Sequence, residues 1–148
     1  MRLSVEVETE LGVSSENTLD FGRMDSGNHE LHLGDEGMGV FAFSAYENVH
    51  ITAVIKAPEY LIHSSSAISD RLKIDLNAAY ANKGENNYNQ STPLPNNEAR
   101  FPVRDRKSVQ VNRMGLELCW LYLYGTVETN NASPGEYHGE VIIRIEYE

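Results

Sequence analysis

A chain of 148 residues, 41% hydrophobic and 23% charged, suits one domain with its own core and excludes a disordered or fibrous protein. At that size a globular chain buries roughly 70% of its unfolded surface, so it needs no staples. A net charge of −10 repels a phosphate backbone, which argues against nucleic acid as a partner, and no run approaches the ~20 apolar residues of a membrane-spanning helix.

Period-two alternation appears at the first residues and dominates the chain. In "RLSVEVE", Leu3, Val5 and Val7 alternate with Arg2, Ser4, Glu6 and Glu8. This stretch lacks the apolar core of a signal peptide, so export would require a signal removed from the chain. "GVFAFSA" (39–45) and "VHITAVIKA" (49–57) read as buried strands. "SSAISDRL" (65–72) could make a helical turn capped by Ser65 or Ser66. In "RLKIDLNAAY", Leu72, Ile74, Leu76, Ala78 and Tyr80 share one face.

The segment 81–106 is polar, rich in Asn, and carries Pro93, Pro95 and Pro102. It reads as a long surface loop, with a binding loop as the functional alternative. "KSVQVNR" (107–113) predicts a short strand and "LELCWLYLYGTV" (116–127) a long one. The closing "PGEYHGEVIIRIEYE" is a turn followed by a regular strand, with Val141, Ile143, Ile145 and Tyr147 on its inward face. Many short strands, turn clusters between them and almost no helix predict a single all-β domain over 1–148. The expected architecture is an immunoglobulin-like antiparallel β-sandwich of about seven strands.

Chemistry is sparse. "HELH" (29–32) places His29 and His32 three apart, one short of the metalloprotease spacing, and on a strand they would point to opposite faces. No metal or cofactor is expected. No nucleophile elbow, phosphate loop or dinucleotide fingerprint occurs, so no catalytic residue is assigned and an enzyme is not expected. The single cysteine, Cys119, can form no intrachain disulfide, and its apolar strand favours an inert buried thiol. "NQS" (89–91) and "NAS" (131–133) match the glycosylation sequon, which matters only in a eukaryotic secretory pathway. Trp120, Tyr122 and Tyr124 share one face of their strand. They line either a core face covered by the 81–106 segment or an exposed platform for a sugar or partner chain.

"TLDFG" (18–22), "LYGTV" (123–127) and the closing "PGEYHGEVIIRIEYE" together resemble a pilin-like family of bacterial surface domains. That family is related to spore-coat-U proteins and chaperone–usher fimbrial subunits. Pilin subunits finish on a strand with a penultimate tyrosine and a glycine fourteen places from the end, positions held here by Tyr147 and Gly135. The resemblance implies that this strand, through Gly135, Tyr137, Gly139, Val141, Ile143, Ile145 and Tyr147, borders a groove left by a missing strand. A chaperone, then the first strand of the next subunit, would fill that groove. "RLSVEVE" is the candidate donor through Leu3, Val5 and Val7, or it folds back and completes its own domain.

The function so implied is a non-enzymatic structural or adhesive subunit of a bacterial surface appendage, exported to the cell surface. Its implied partners are other subunits or a periplasmic chaperone. The alternative is a secreted carbohydrate-binding module that holds a glycan on the aromatic strand face.

Overall fold

The structure is a computed structural model that describes residues 2–9, 13–23, 27–46, 49–103, 116–130 and 132–147. The expected strand at 107–113 lies outside these residues. Among those described, eleven strands form one continuous hydrogen-bonded set. They are β1 (Arg2–Thr9), β2 (Ser14–Asn17), β3 (Asn28–Leu31), β4 (Gly39–Tyr46), β5 (His50–Lys56), β6 (Tyr60–His63), β7 (Arg71–Ala81), β8 (Thr92–Pro93), β9 (Glu98–Pro102), β10 (Leu116–Glu128) and β11 (Glu136–Tyr147). The all-β class is as the alternation predicts. The expectation of about seven antiparallel strands needs correction. Among the described residues there are eleven, and one pair, β1 with β11, is parallel.

The main path runs β2-β4-β10-β7-β6-β11-β5-β9. β3 adds to β10, β8 to β7 and β1 to β11. β5 and β6 follow one another along the same side of β11, at Ile142–Tyr147 and Tyr137–His138. β6 then turns its other edge to β7, which joins the two halves of the set. The first strands cross between the same halves. β1 lies on β11, and only a few residues later β2 lies on β4.

Strict alternation explains which face each strand buries, because successive side chains of a strand point to opposite faces. β7 buries Leu72, Ile74, Leu76 and Ala78 while its intervening residues through Asn77 stay exposed. The principal core takes these with Phe41, Phe43, Ile51, Ile55, Leu61, Leu121, Leu123, Val141 and Ile143. A smaller cluster lies on the other face of β4, β10 and β7, built from Met38, Ala42, Ala79, Ala81, Trp120 and Tyr122.

The polar segment holds more structure than a loop. It contains β8, β9 and two short helical turns, Tyr88–Gln90 and Pro95–Asn97. Two of its asparagines act as clamps on backbone carbonyls. Asn82 Nδ2 donates to the Pro102 carbonyl at 2.8 Å, and Asn97 Nδ2 donates to the Leu76 carbonyl at 3.1 Å. Phe101 stacks on Tyr80, with ring centroids 3.8 Å apart and planes 3° from parallel. Residues 65–72 form no helix; a bend there is held by Ile68 N–H to the Ser65 carbonyl at 3.2 Å.

Candidate assembly strand

β11 buries one face almost completely. Tyr137, Val141 and Ile143 are 0% exposed and Ile145 is 4% exposed. Gly139 belongs to the same face, and its missing side chain is what admits Leu61. A Cβ there would stand 2.6 Å from Leu61 Cδ2 and 3.3 Å from Pro58 Cγ. Tyr147 departs from the expectation that it lines the core. It lies past the end of the packed interior, 48% exposed, and its hydroxyl donates to the Ser44 carbonyl of β4 at 3.2 Å.

The turn into β11 is fixed by a group of residues distant in sequence. Gly135 has φ +138°, a conformation that L side chains rarely adopt. A Cβ at that position would also collide with the His63 imidazole, 2.9 Å from its Cε1. His63 is buried beneath this turn. Its Nδ1 accepts from Ser65 N–H at 2.9 Å, so Nε2 carries the proton and donates to the Pro134 carbonyl at 3.1 Å. The Tyr137 ring meets His63 edge-on at 4.9 Å, and its hydroxyl donates to the Ser133 carbonyl at 2.7 Å. Burial, and then the Asp70 charge, pushes the Tyr137 phenol up. Ser133 N–H donates to Asp70 Oδ2 at 2.8 Å, and bonding from Ser133 holds the Asp70 carboxyl below its ordinary value. This cluster orients a turn; its polar groups are engaged with one another and with backbone.

The N-terminal strand sits on the free side of β11. The register pairs Leu3 with Tyr137, Val5 with Gly139 and Val7 with Val141, all running parallel. Arg2 N–H donates to the Gly135 carbonyl at 2.9 Å and starts this ladder. Leu3 and Val5 are buried in the principal core, and Val7 packs half-buried against it. Their side chains therefore continue the core beyond β11. The "TLDFG" element contributes Leu19 and Phe21 to the same core without forming a strand, and Leu3 N–H reaches the Gly22 carbonyl at 3.4 Å.

The aromatic residues of β10 are placed differently from a platform. Trp120 and Tyr122 are 6% and 0% exposed, while Tyr124 is half-buried. The Tyr122 hydroxyl donates to Asn86 Oδ1 at 2.7 Å, and burial pushes its phenol up to about 12. Leu33 and Met38 pack on this face, so neither Trp120 nor Tyr122 offers an open ring to a sugar. Cys119 points into the principal core, with Sγ 3.0 Å from the Val103 carbonyl. Burial, then the Glu117 charge, pushes this thiol up to about 12, so it stays protonated at neutral pH and is no nucleophile.

His32 lies 3.3 Å from Glu30 Oε1 and 3.5 Å from Asp35 Oδ2 on an exposed surface. Among the described residues, no three His, Cys, Asp or Glu side chains converge to hold a metal ion. No helix among them is long and apolar enough to cross a membrane.

Two elements of the site were not read from sequence. His63 lies in an ordinary-looking strand, and only the long-range pairing of Tyr137 with His63 brings it under the turn. Asp70 likewise reaches Ser133 across 63 positions, with no local signal. Compared with protein-family models and with curated proteins, the chain matches none.

Proposed function

We propose that this chain is a non-enzymatic structural domain of an exported bacterial surface assembly, related to pilin-like and spore-coat-U proteins and of their immunoglobulin-like sandwich type. Its own first strand completes the domain. The same place on β11 can accept the equivalent strand of another subunit or of a periplasmic chaperone. The observation that carries this reading is the seating of β1. It pairs with β11 along its whole length and buries Leu3 and Val5, while only residues 10–13 separate it from β2. A strand held at one edge, in the slightly weaker parallel sense, is the element most readily exchanged. The buried positions of Tyr137, Val141, Ile143 and Ile145, with Gly135 and Gly139 half-buried in the same stretch, support the motif on which the resemblance rests. With Trp120 and Tyr122 covered, no observation favours the carbohydrate-binding alternative.

The test compares the solution mass and melting of the full chain with those of a copy lacking residues 1–10. The full chain should be a folded monomer. The truncated copy should unfold or aggregate, and an added "RLSVEVETE" peptide should restore it. A truncated copy that stays monomeric and melts like the parent would remove the basis for strand completion. Surface labelling of the source cells addresses export: the chain should be labelled and recovered in high-mass material, and recovery from the cytosol alone would contradict the proposal.

A further inference from the structure

β1 has two edges, and β11 occupies one. In a parallel ladder alternate residues turn their backbone groups to the same neighbour. Arg2 bonds to Gly135 on the β11 side, whereas Leu3 bonds to Gly22 on the opposite side. The backbone groups of Val5 and Val7 therefore face away from β11, and no described residue pairs with them there. Beyond that edge lies a groove of about 660 Å³ between Arg2–Val5 and Asn17–Gly22. It continues into a second hollow of about 500 Å³ through the shared residues Val5 and Thr18. The groove is closed at one end by the Leu3–Gly22 bond and an Arg2–Arg23 bridge, and it runs open toward Val7. Its size lies within the ~300–1,000 Å³ of ordinary ligand clefts.

The walls are mainly acidic: Asp20 and Glu36 lie on the far wall and Glu6 at the open end, opposed at the closed end by Arg2 and Arg23. We propose that this groove takes an extended segment of another protein, bearing lysine or arginine at alternate positions, as an added strand on the outer edge of β1. Unpaired strand edges bind extended peptides by main-chain bonds, with alternate side chains setting specificity. The carboxylates select the basic residues on the solvent face of that segment. A second copy of this chain, at net charge −10, is repelled as a whole. The inference needs only that β1 remain seated on β11; it does not depend on export or on surface assembly.

The probe is a synthetic peptide, acetyl-KVKVKVK-amide, titrated into the full chain at low salt and read by calorimetry and by melting. Controls are acetyl-EVEVEVE-amide and acetyl-KVKPKVK-amide, the latter unable to complete a ladder. The decisive variant is Val7→Pro, which deletes one outward N–H and leaves the bonds to β11 in place. The basic peptide should bind and raise the melting temperature. The acidic and proline peptides should not, and Val7→Pro should weaken binding by about tenfold or more. Glu6→Lys keeps the backbone intact, should also weaken binding, and serves if Val7→Pro does not fold. Three outcomes overturn the proposal: no binding up to ~1 mM, equal binding of the proline peptide or of both variants, or a groove filled by a second copy, seen as a doubled mass without peptide. The two peptide-binding outcomes leave the truncation test untouched, so failure here and failure of strand completion are read separately; a doubled mass alone would also contradict the monomer expected there.

Discussion

Among the described residues β10 and β11 are the two longest strands, of 13 and 12 residues, and β11 alternates with one buried face while β10 is apolar on both. Their surroundings differ. β10 is flanked by β4 and β3 on one edge and by β7 on the other, all antiparallel, and it is packed on both faces. β11 has β5 and β6 on one edge, but its other edge depends on the 8-residue β1. The interior residues of the two strands are equally buried, yet one edge of β11 rests on a single short parallel strand. An edge that borders a core is stable only while its neighbour stays, and under the proposed function this is the edge at which another subunit's strand would exchange.

The comparison can be broken most severely inside either strand. Ile143→Asp buries an unpaired carboxylate in the core and should abolish the cooperative fold, a loss on the order of 5 kcal/mol, with Leu121→Asp doing the same for β10. A chain carrying Ile143→Asp that melts like the parent would show the inward face of β11 to be wrongly assigned. A smaller effect is expected from Gly135→Ala, which meets both a positive φ and the His63 ring. About 1–3 kcal/mol should be lost, measured by denaturant unfolding, whereas alanine at an open, extended position would cost little.

The smallest effect concerns acid. Bonding from Ser133 lowers the Asp70 carboxyl below its ordinary 3.8. A carboxylate with a depressed folded value adds stability that is present above the unfolded value and is lost as pH falls through the folded one. Asp70→Asn should therefore remove a small increment at neutral pH, and the difference should shrink as pH falls through the folded value of the carboxyl. Unfolding curves of parent and variant at pH 7 and pH 2.5 test this, and a gap that widened in acid would contradict it.

Much of this fold was legible because alternation with one buried face leaves a period-two record. The strands around 72–81 and 136–147 were marked in that way, as were Leu3, Val5 and Val7, whereas 116–128 showed as a long run apolar on both faces. The missed strands are short or unpatterned. β2, "SSEN", is exposed at every residue and is held by pairing to β4 and by Asn17 bonding to the Glu36 and Met38 carbonyls. β9 lay hidden in an Asn- and Pro-rich stretch, where Phe101 is its one deeply buried side chain. The covering of Trp120 and Tyr122 was undecided because the residues that cover them, Leu33, Met38 and Asn86, are remote in sequence. The parallel sense of β1 was equally hidden, since alternation is the same in either direction.

The seating of β1 is the central claim, and a cross-link reports it directly. Glu6 and Glu140 are partners in the parallel register and both are exposed. Neighbouring strands place such Cα atoms within the ~4.4–6.8 Å that a disulfide spans. Glu6→Cys with Glu140→Cys, oxidised in dilute solution, should close within one chain, giving a monomer whose melting temperature rises. Cross-linked multimers would place β1 on another copy's β11, and no cross-link at all would contradict the parallel pairing itself.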